Sequence, residues 1–161
     1  MRIVGIRRGD GPVEVASLSD DGARVTVVAW YAPSDVAAVA TDTGADPYDA
    51  TTREAQLLGA PASSVPELAA QASPVSHVSG DAPPFLLLHG EADRLIPFVQ
   101  SVRFHTALVE AGAEAEILLY EDADHMWLGS PEAAEKALDR TVDELRRRLG
   151  ARNEETKEED R

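Results

Sequence analysis

The sequence contains no cysteine. Disulfides, a thiol nucleophile and thiolate metal sites are therefore excluded, while the redox compartment stays open. It also lacks any apolar run near the about 18 residues needed to span a bilayer. No signal peptide opens it, since MRIVGIRRGDG starts with positive charge and turns polar at once. The expectation on that basis is a cytoplasmic protein with no membrane partner. Positive charge is scarce: 15 Lys and Arg stand against 29 Asp and Glu, a formal net charge of −14. A phosphate backbone needs a basic surface, so a nucleic-acid partner is not expected. No glycine-rich phosphate loop follows any apolar run, which counts against a freestanding flavodoxin-like binding domain. Internal repeats are absent.

What remains is an ordinary globular composition on 161 residues, enough for one hydrophobic core. The end of the chain, NEETKEEDR, carries five acids and two bases with no apolar position. Such a run cannot offset its ordering entropy, so residues 151–161 read as a disordered acidic tail behind a domain over residues 1–150.

Three short apolar runs read as strands: Val25 to Trp30 (VTVVAW), Phe85 to Leu88 (FLLL) and Glu116 to Tyr120 (EILLY). Near-continuous apolar character is what a strand buried on both faces of a parallel sheet requires. An amphipathic helix follows each of the last two strands. The first runs from Phe98 to Ala111, with Phe98, Val102, His105, Leu108 and Val109 on one stripe. The second runs from Pro131 to Leu149, with Ala134, Ala137, Leu138, Val142, Leu145 and Leu149 on its stripe. Ser130–Pro131 is a good N-cap and first-turn pair, and Gly112 and Gly150 stand where helices end. Alternating strands and helices predict a parallel α/β sheet of about three strands, whose ligands gather at the carboxyl ends of the strands. Between the first two strands lies an insertion, about residues 36–80. Two capping boxes, Thr51 with Glu54 and Ser64 with Glu67, predict short helices over Thr52–Leu58 and Val65–Ala72. As a pocket wall or as a surface excursion the insertion reads equally well.

Two loops carry the chemistry. In PPFLLLHGEADRLIP (Pro83 to Pro97) a buried strand ends in His-Gly, and Asp93 follows in a turn. A carboxylate held there suits the acid of a triad, although Asp is also a common turn former. In EILLYEDADHMWLG (Glu116 to Gly129) a strand ends in a loop with His125 near its tip. A metal reading of Asp122, Asp124 and His125 is weak, and neither metal nor cofactor is expected. An acid and then a histidine, each after a strand, match the Ser…Asp…His order of α/β-hydrolases.

At the residue level the stretch HGEADRLIPFVQSVRFHTALVEAGAEAEILLYEDADHMWLG resembles the terminal portion of bacterial serine esterases of the α/β-hydrolase superfamily, in the carboxylesterase, feruloyl-esterase-like and dienelactone-hydrolase-like groups. The shared positions are His89, Gly90, Asp93, Pro97, Gln100, Ser101 and His125. VVAWYAPSD (Val27 to Asp35) is similar to the strand and turn that follow the nucleophile helix of that family. The resemblance runs from about Val25 to Leu149. It implies hydrolysis of a small-molecule carboxylic ester, with His125 as general base and Asp93 as its orienting carboxylate. Tyr31 and Trp127 flank that site as candidate substrate-binding residues, or as plain packing.

The departure is as plain. The family's serine sits in a Gly-x-Ser-x-Gly elbow, and the 161 residues contain no such motif and no His-Gly-Gly oxyanion loop. Ser17, Ser19, Ser34 and Ser101 all lack a strand-to-helix elbow. RIVGIRRGDG (Arg2 to Gly11) reads as the end of the nucleophile helix, as though the chain opened just downstream of the elbow, by a late start or in a degraded gene. The expectation is the C-terminal part of a serine esterase, truncated and inactive by itself. The alternative is a non-catalytic half-domain that pairs with another chain, or with itself as a homo-oligomer, through an exposed sheet edge.

Overall fold

The computed structural model describes residues 25–149. The expected tail and the helix-end reading of Arg2 to Gly11 lie outside them. Three strands, β1 (Val27–Trp30), β2 (Phe85–Gly90) and β3 (Ala115–Tyr120), form one parallel sheet in the order β1-β2-β3. Its register sets Val27 beside Phe85 and Phe85 beside Ala115. β2 is central, which explains its sequence: Leu86, Leu87 and Leu88 are each no more than 1% exposed. Burying each contributes about 1.5–3 kcal/mol.

The two faces of the sheet have different covers. Leu87 packs against Phe104 and Leu108 of α4 (Val99–Glu110). Leu86 and Leu88 pack against Ala133 and Ala137 of α5 (Pro131–Leu149) and against Trp127. Alternate side chains of one strand thus fill two separate cores, as the period of two dictates.

β2 continues two residues beyond its apolar run. His89 and Gly90 still pair with Leu119 and Tyr120, and both are buried. Gly90 has to be a glycine for space alone. A Cβ there would stand 2.1 Å from the Ala123 carbonyl oxygen, which instead accepts a hydrogen bond from the Ala92 N–H at 3.1 Å.

Several expected details shift. α4 buries Gln100, Ser101, Phe104 and Leu108, whereas Val109 is half exposed and His105 only partly covered. The stripe is rotated because Gln100 and Ser101 are needed inside as hydrogen-bonding groups. On α5 the buried line is Ala133, Ala137 and Glu144, while Leu138, Leu145 and Leu149 of the expected stripe are exposed. Small alanines let this helix lie close on the sheet, and Thr141 on the same side accepts from the Trp30 Nε1–H at 2.9 Å.

The segment between β1 and β2 holds α1 (Val39–Asp42), α2 (Arg53–Leu58) and α3 (Pro66–Gln71). The cap of α2 is Thr52, whose side chain accepts from the Ala55 N–H, and not Thr51. Thr51 is held instead by Asp49, which takes both its N–H and its hydroxyl at 2.7 Å. Ser64 does not cap α3 either; it closes a 3-10 turn over Ala62–Ser64, and Pro66 at the first position sets the helix by its fixed φ.

Candidate active site

The loops after β1, β2 and β3 meet at the carboxyl end of the sheet. Asp93 closes a turn behind β2, its N–H donating to the Gly90 carbonyl at 3.2 Å. Its Oδ1 accepts from the Leu95 and Ile96 N–H groups, both at 2.8 Å. Its Oδ2 lies 2.8 Å from His125 Nδ1 and 3.2 Å from His89 Nε2. The carboxylate side chain is fully enclosed, whereas the His125 side chain keeps 20% of its surface. With Nδ1 bound to the acid, His125 Nε2 has no hydrogen-bond partner among the described residues. That is the nitrogen a reacting hydroxyl approaches in a Ser-His-Asp site.

A second carboxylate ties the two loops together. Asp124 accepts from the backbone N–H of Arg94 at 3.0 Å and of His125 at 2.8 Å, and from Arg94 Nε at 2.7 Å. These donors, the two backbone groups first, hold its carboxyl at about 2. Asp124 is therefore engaged by Arg94 and not free for a metal. Among the described residues no group of three or more His, Cys, Asp or Glu is placed to hold a metal ion. Asp124→Asn keeps an acceptor for both backbone N–H groups, and Asp124→Ala does not. The expected order of amide exchange at Arg94 and His125 is slow in the parent, slightly faster in Asp124→Asn and fastest in Asp124→Ala. Unchanged exchange in the alanine variant contradicts the clamp.

Tyr31 and Trp127 both come to this site, in different ways. The Tyr31 ring centroid is 4.7 Å from that of His125 and 5.3 Å from that of Trp127. Trp127 is 5% exposed, packed with Leu86, Leu88 and Ala137, and edge-on to Trp30 and Tyr120. It supports Tyr31 from the core and is no open wall for a substrate. Its Nε1–H is buried without a partner among the described residues. Tyr31, Asp122, Met126 and Trp127 all have positive φ, between 40° and 61°. Each such residue costs on the order of 1–3 kcal/mol and persists only where its surroundings fix it. All four lie in the loops at this end of the sheet.

The role of one motif residue emerges only from the structure. Gln100 is fully buried: its Oε1 accepts from the Ser34 and Asp35 N–H groups, and its Nε2 donates to Asp42 Oδ2 at 2.6 Å. It pins the loop after β1, and with it Tyr31, to α4. Nothing in its helical position marks this, since Gln reads as surface.

At the opposite end of the strands a cavity of about 220 Å³ is lined by Phe85, Glu114, Ala115, Glu116, Glu144, Arg147 and Arg148. It is an ion-pair cluster, remote from Asp93 and His125. Burial raises the Glu144 carboxyl, but donors from Arg147, Arg148 and Arg140 outweigh it and hold the group at about 2. His89 also lies below its ordinary value, for the opposite reason: burial pushes it down, against the Ile96 carbonyl and Asp93. All three groups, Asp124, Glu144 and His89, have folded values below their unfolded ones. Their contribution to stability is present above the unfolded value and lost as pH falls. Urea midpoints are therefore expected to drop below about pH 6.5 as unfolded His89 gains a proton, and again from about 4.5 towards 2. A midpoint flat from pH 7 to pH 3 contradicts this.

Comparison with known proteins now decides the family. The BD-FAE family model matches residues 12–108, more than half of the chain. The chain belongs to the BD-FAE family. It is 52% identical over 48 residues to esterase LipQ of Mycobacterium tuberculosis, covering 30% of this chain and 11% of that protein. To the probable carboxylic ester hydrolase LipM of the same organism it is 41% identical over 71 residues, covering 42% and 16%. Among solved structures, a truncated form of a carbohydrate esterase from gut microbiota superposes with a TM-score of 0.60 at 30% identity, over 73% of this chain and 41% of that one. The fold is that of an α/β-hydrolase esterase, in three parallel strands with flanking helices. The chain spans less than a fifth of these curated relatives and less than half of that solved structure. Among the described residues, no helix is long and apolar enough to cross a membrane.

Proposed function

We propose that this BD-FAE chain supplies the acid and the base of a serine carboxylic-ester hydrolase, Asp93 and His125, and that it has no ester turnover by itself because its 161 residues hold no elbow serine. The observation that carries the reading is the 2.8 Å bond from His125 Nδ1 to Asp93 Oδ2, with Nε2 left for a nucleophile. In that role His125 takes the proton of the attacking hydroxyl and returns it to the leaving alcohol. Asp93 holds the tautomer and stabilises the imidazolium. Tyr31, beside His125, is the residue of this site best placed to meet an acyl or alcohol group. Kinetics with p-nitrophenyl acetate test the inactive part of the reading. The purified chain is expected to turn over no faster than its His125→Ala variant. Burst release of nitrophenol, with an acyl group mapped to one of the chain's serines, contradicts it.

A second reading, a half-domain that pairs with another chain, has its own support. Among the described residues β1 has a strand neighbour on one side only, and Leu138, Leu145 and Leu149 line an exposed face of α5. An open edge and an uncovered apolar face favour association. Sedimentation at tens of micromolar separates the readings, since a monomer throughout contradicts self-pairing.

A further inference from the structure

Asp93 is shared by two imidazoles, and the triad uses only one of them. His89 is fully buried. Its Nε2 lies 2.8 Å from the Ile96 carbonyl oxygen and 3.2 Å from Asp93 Oδ2. Both of those atoms only accept, so Nε2 carries a hydrogen. Its Nδ1 lies 2.6 Å from the Ser101 hydroxyl, itself 3% exposed. A buried ring beside a second imidazole is held neutral, which leaves Nδ1 a bare acceptor and makes the Ser101 O–H the donor.

We propose that Ser101 and His89 form a buried positioning relay, Ser101 O–H to His89 Nδ1 and His89 Nε2–H to Asp93, that locks the carboxylate in the orientation His125 needs. The proposal rests on the reading of Asp93 and His125 as acid and base. With His89 in place all the accepting directions of the carboxylate are engaged: two backbone N–H groups on Oδ1 and two imidazole N–H groups on Oδ2. Rotation about the Cβ–Cγ bond then breaks four hydrogen bonds at once. The two imidazoles are not equivalent. The His89 N–H is divided between Ile96 and Asp93, and its longer bond leaves the carboxylate principally to His125.

Neutrality of His89 is essential to this role. A charged His89 would compete for the carboxylate and repel a His125 imidazolium. The same assignment explains why Ser101, His89 and Asp93 reproduce the residue types of a catalytic triad without being one. The Ser101 proton points at His89, its oxygen is enclosed, and the Asp93 oxygen beside His89 already serves His125.

Imidazole nitrogen NMR on the 161-residue chain tests this between pH 5 and 9. His89 is expected to keep its hydrogen on Nε2 and to gain a second proton only below the ordinary imidazole value. In Ser101→Ala the Nδ1 resonance of His89 is expected to move towards that of an unbonded pyridine-type nitrogen. In His89→Phe the carboxylate loses a donor and the lock on its rotation, so the His125 Nδ1–H resonance is expected to shift and to exchange with solvent faster than in the parent. The charged groups facing His125 are Asp93 and, one residue back, Asp124 with Arg94 upon it; neither is altered in that variant. A hydrogen on His89 Nδ1, titration of His89 near pH 6.5, or an unmoved His125 Nδ1–H resonance in a folded His89→Phe protein overturns the relay. If His89→Phe does not fold, the first two readouts still decide. Asp93→Asn isolates the underlying reading: it is expected to move the His125 hydrogen from Nδ1 to Nε2, and a hydrogen kept on Nδ1 overturns the acid–base assignment whatever His89 does.

Discussion

Joined behind a segment that carries a Gly-x-Ser-x-Gly elbow, the Asp93→Asn variant is expected to turn over activated esters about 10⁴-fold more slowly than its parent, the loss seen where a triad aspartate is neutralised in a serine protease. That loss corresponds to about 5.5 kcal/mol of transition-state stabilisation. Its origin lies in the hydrogen-bond directions around residue 93. The Leu95 and Ile96 N–H groups both point at Oδ1, so the carbonyl oxygen of the introduced amide takes that place. Its NH₂ group is then turned towards His125 Nδ1 and towards the His89 Nε2–H. Against a donor, His125 must present a lone pair at Nδ1 and carry its hydrogen on Nε2. In that tautomer it cannot accept the serine proton. The geometry survives while the protonation is wrong, so kcat falls and KM moves little. Turnover within tenfold of the parent contradicts the role given to Asp93.

Gly90→Ala is expected to be the most damaging small substitution for stability, by about 3 kcal/mol. An added Cβ meets the Ala123 carbonyl oxygen at 2.1 Å, its carbon at 2.7 Å and the Ala123 Cβ at 3.0 Å. Backbone cannot move aside as a flexible side chain can. Relief requires that β2 and the loop after β3 separate, which draws Asp93 away from His125. Chemical denaturation measures the first effect, and the His125 Nδ1–H resonance reports the second. A variant with parental stability and an intact resonance contradicts the close approach. Gly112→Ala provides the contrast. Nothing lies within 4 Å of its added Cβ, so its cost comes from the positive φ alone.

The sheet was legible because its strands are short and apolar, although only β2 is buried on both faces and β1 and β3 are half-buried. FLLL announces a strand buried on both faces, and the structure places it at the centre of the sheet. α5 was legible in extent but not in rotation. Its leucines suggested the buried stripe, yet the helix docks through Ala133, Ala137, Thr141 and Glu144. A count of apolar residues cannot foresee that small and polar groups fit closest to a sheet. The capping boxes misled for a related reason: Asp49 competes for Thr51 and shifts the cap by one residue.

At the site, the meeting of Asp93 with His125 could be foreseen because each follows a strand end, and their order along the chain fits one superfamily. Their partners could not. The sequence suggests Asp124 only as a metal ligand, because nothing local shows that Arg94, thirty residues away, lies against it. Gln100 and Ser101 were visible as a motif without a function. Only the packing of α4 beneath the loop after β1 turns one into an anchor for Ser34 and Asp42, and the other into the donor for His89.

Whether Asp93 and His125 act as the acid and base of an esterase is tested most directly by following the acyl group in the elbow-bearing protein. An activated ester that deacylates slowly is mixed in a single turnover, and the protein is mapped by mass spectrometry over time. The acyl group is expected to arrive on the elbow serine and leave again, with both steps lost in His125→Ala. Arrival and departure at the parental rate in His125→Ala contradict the assignment.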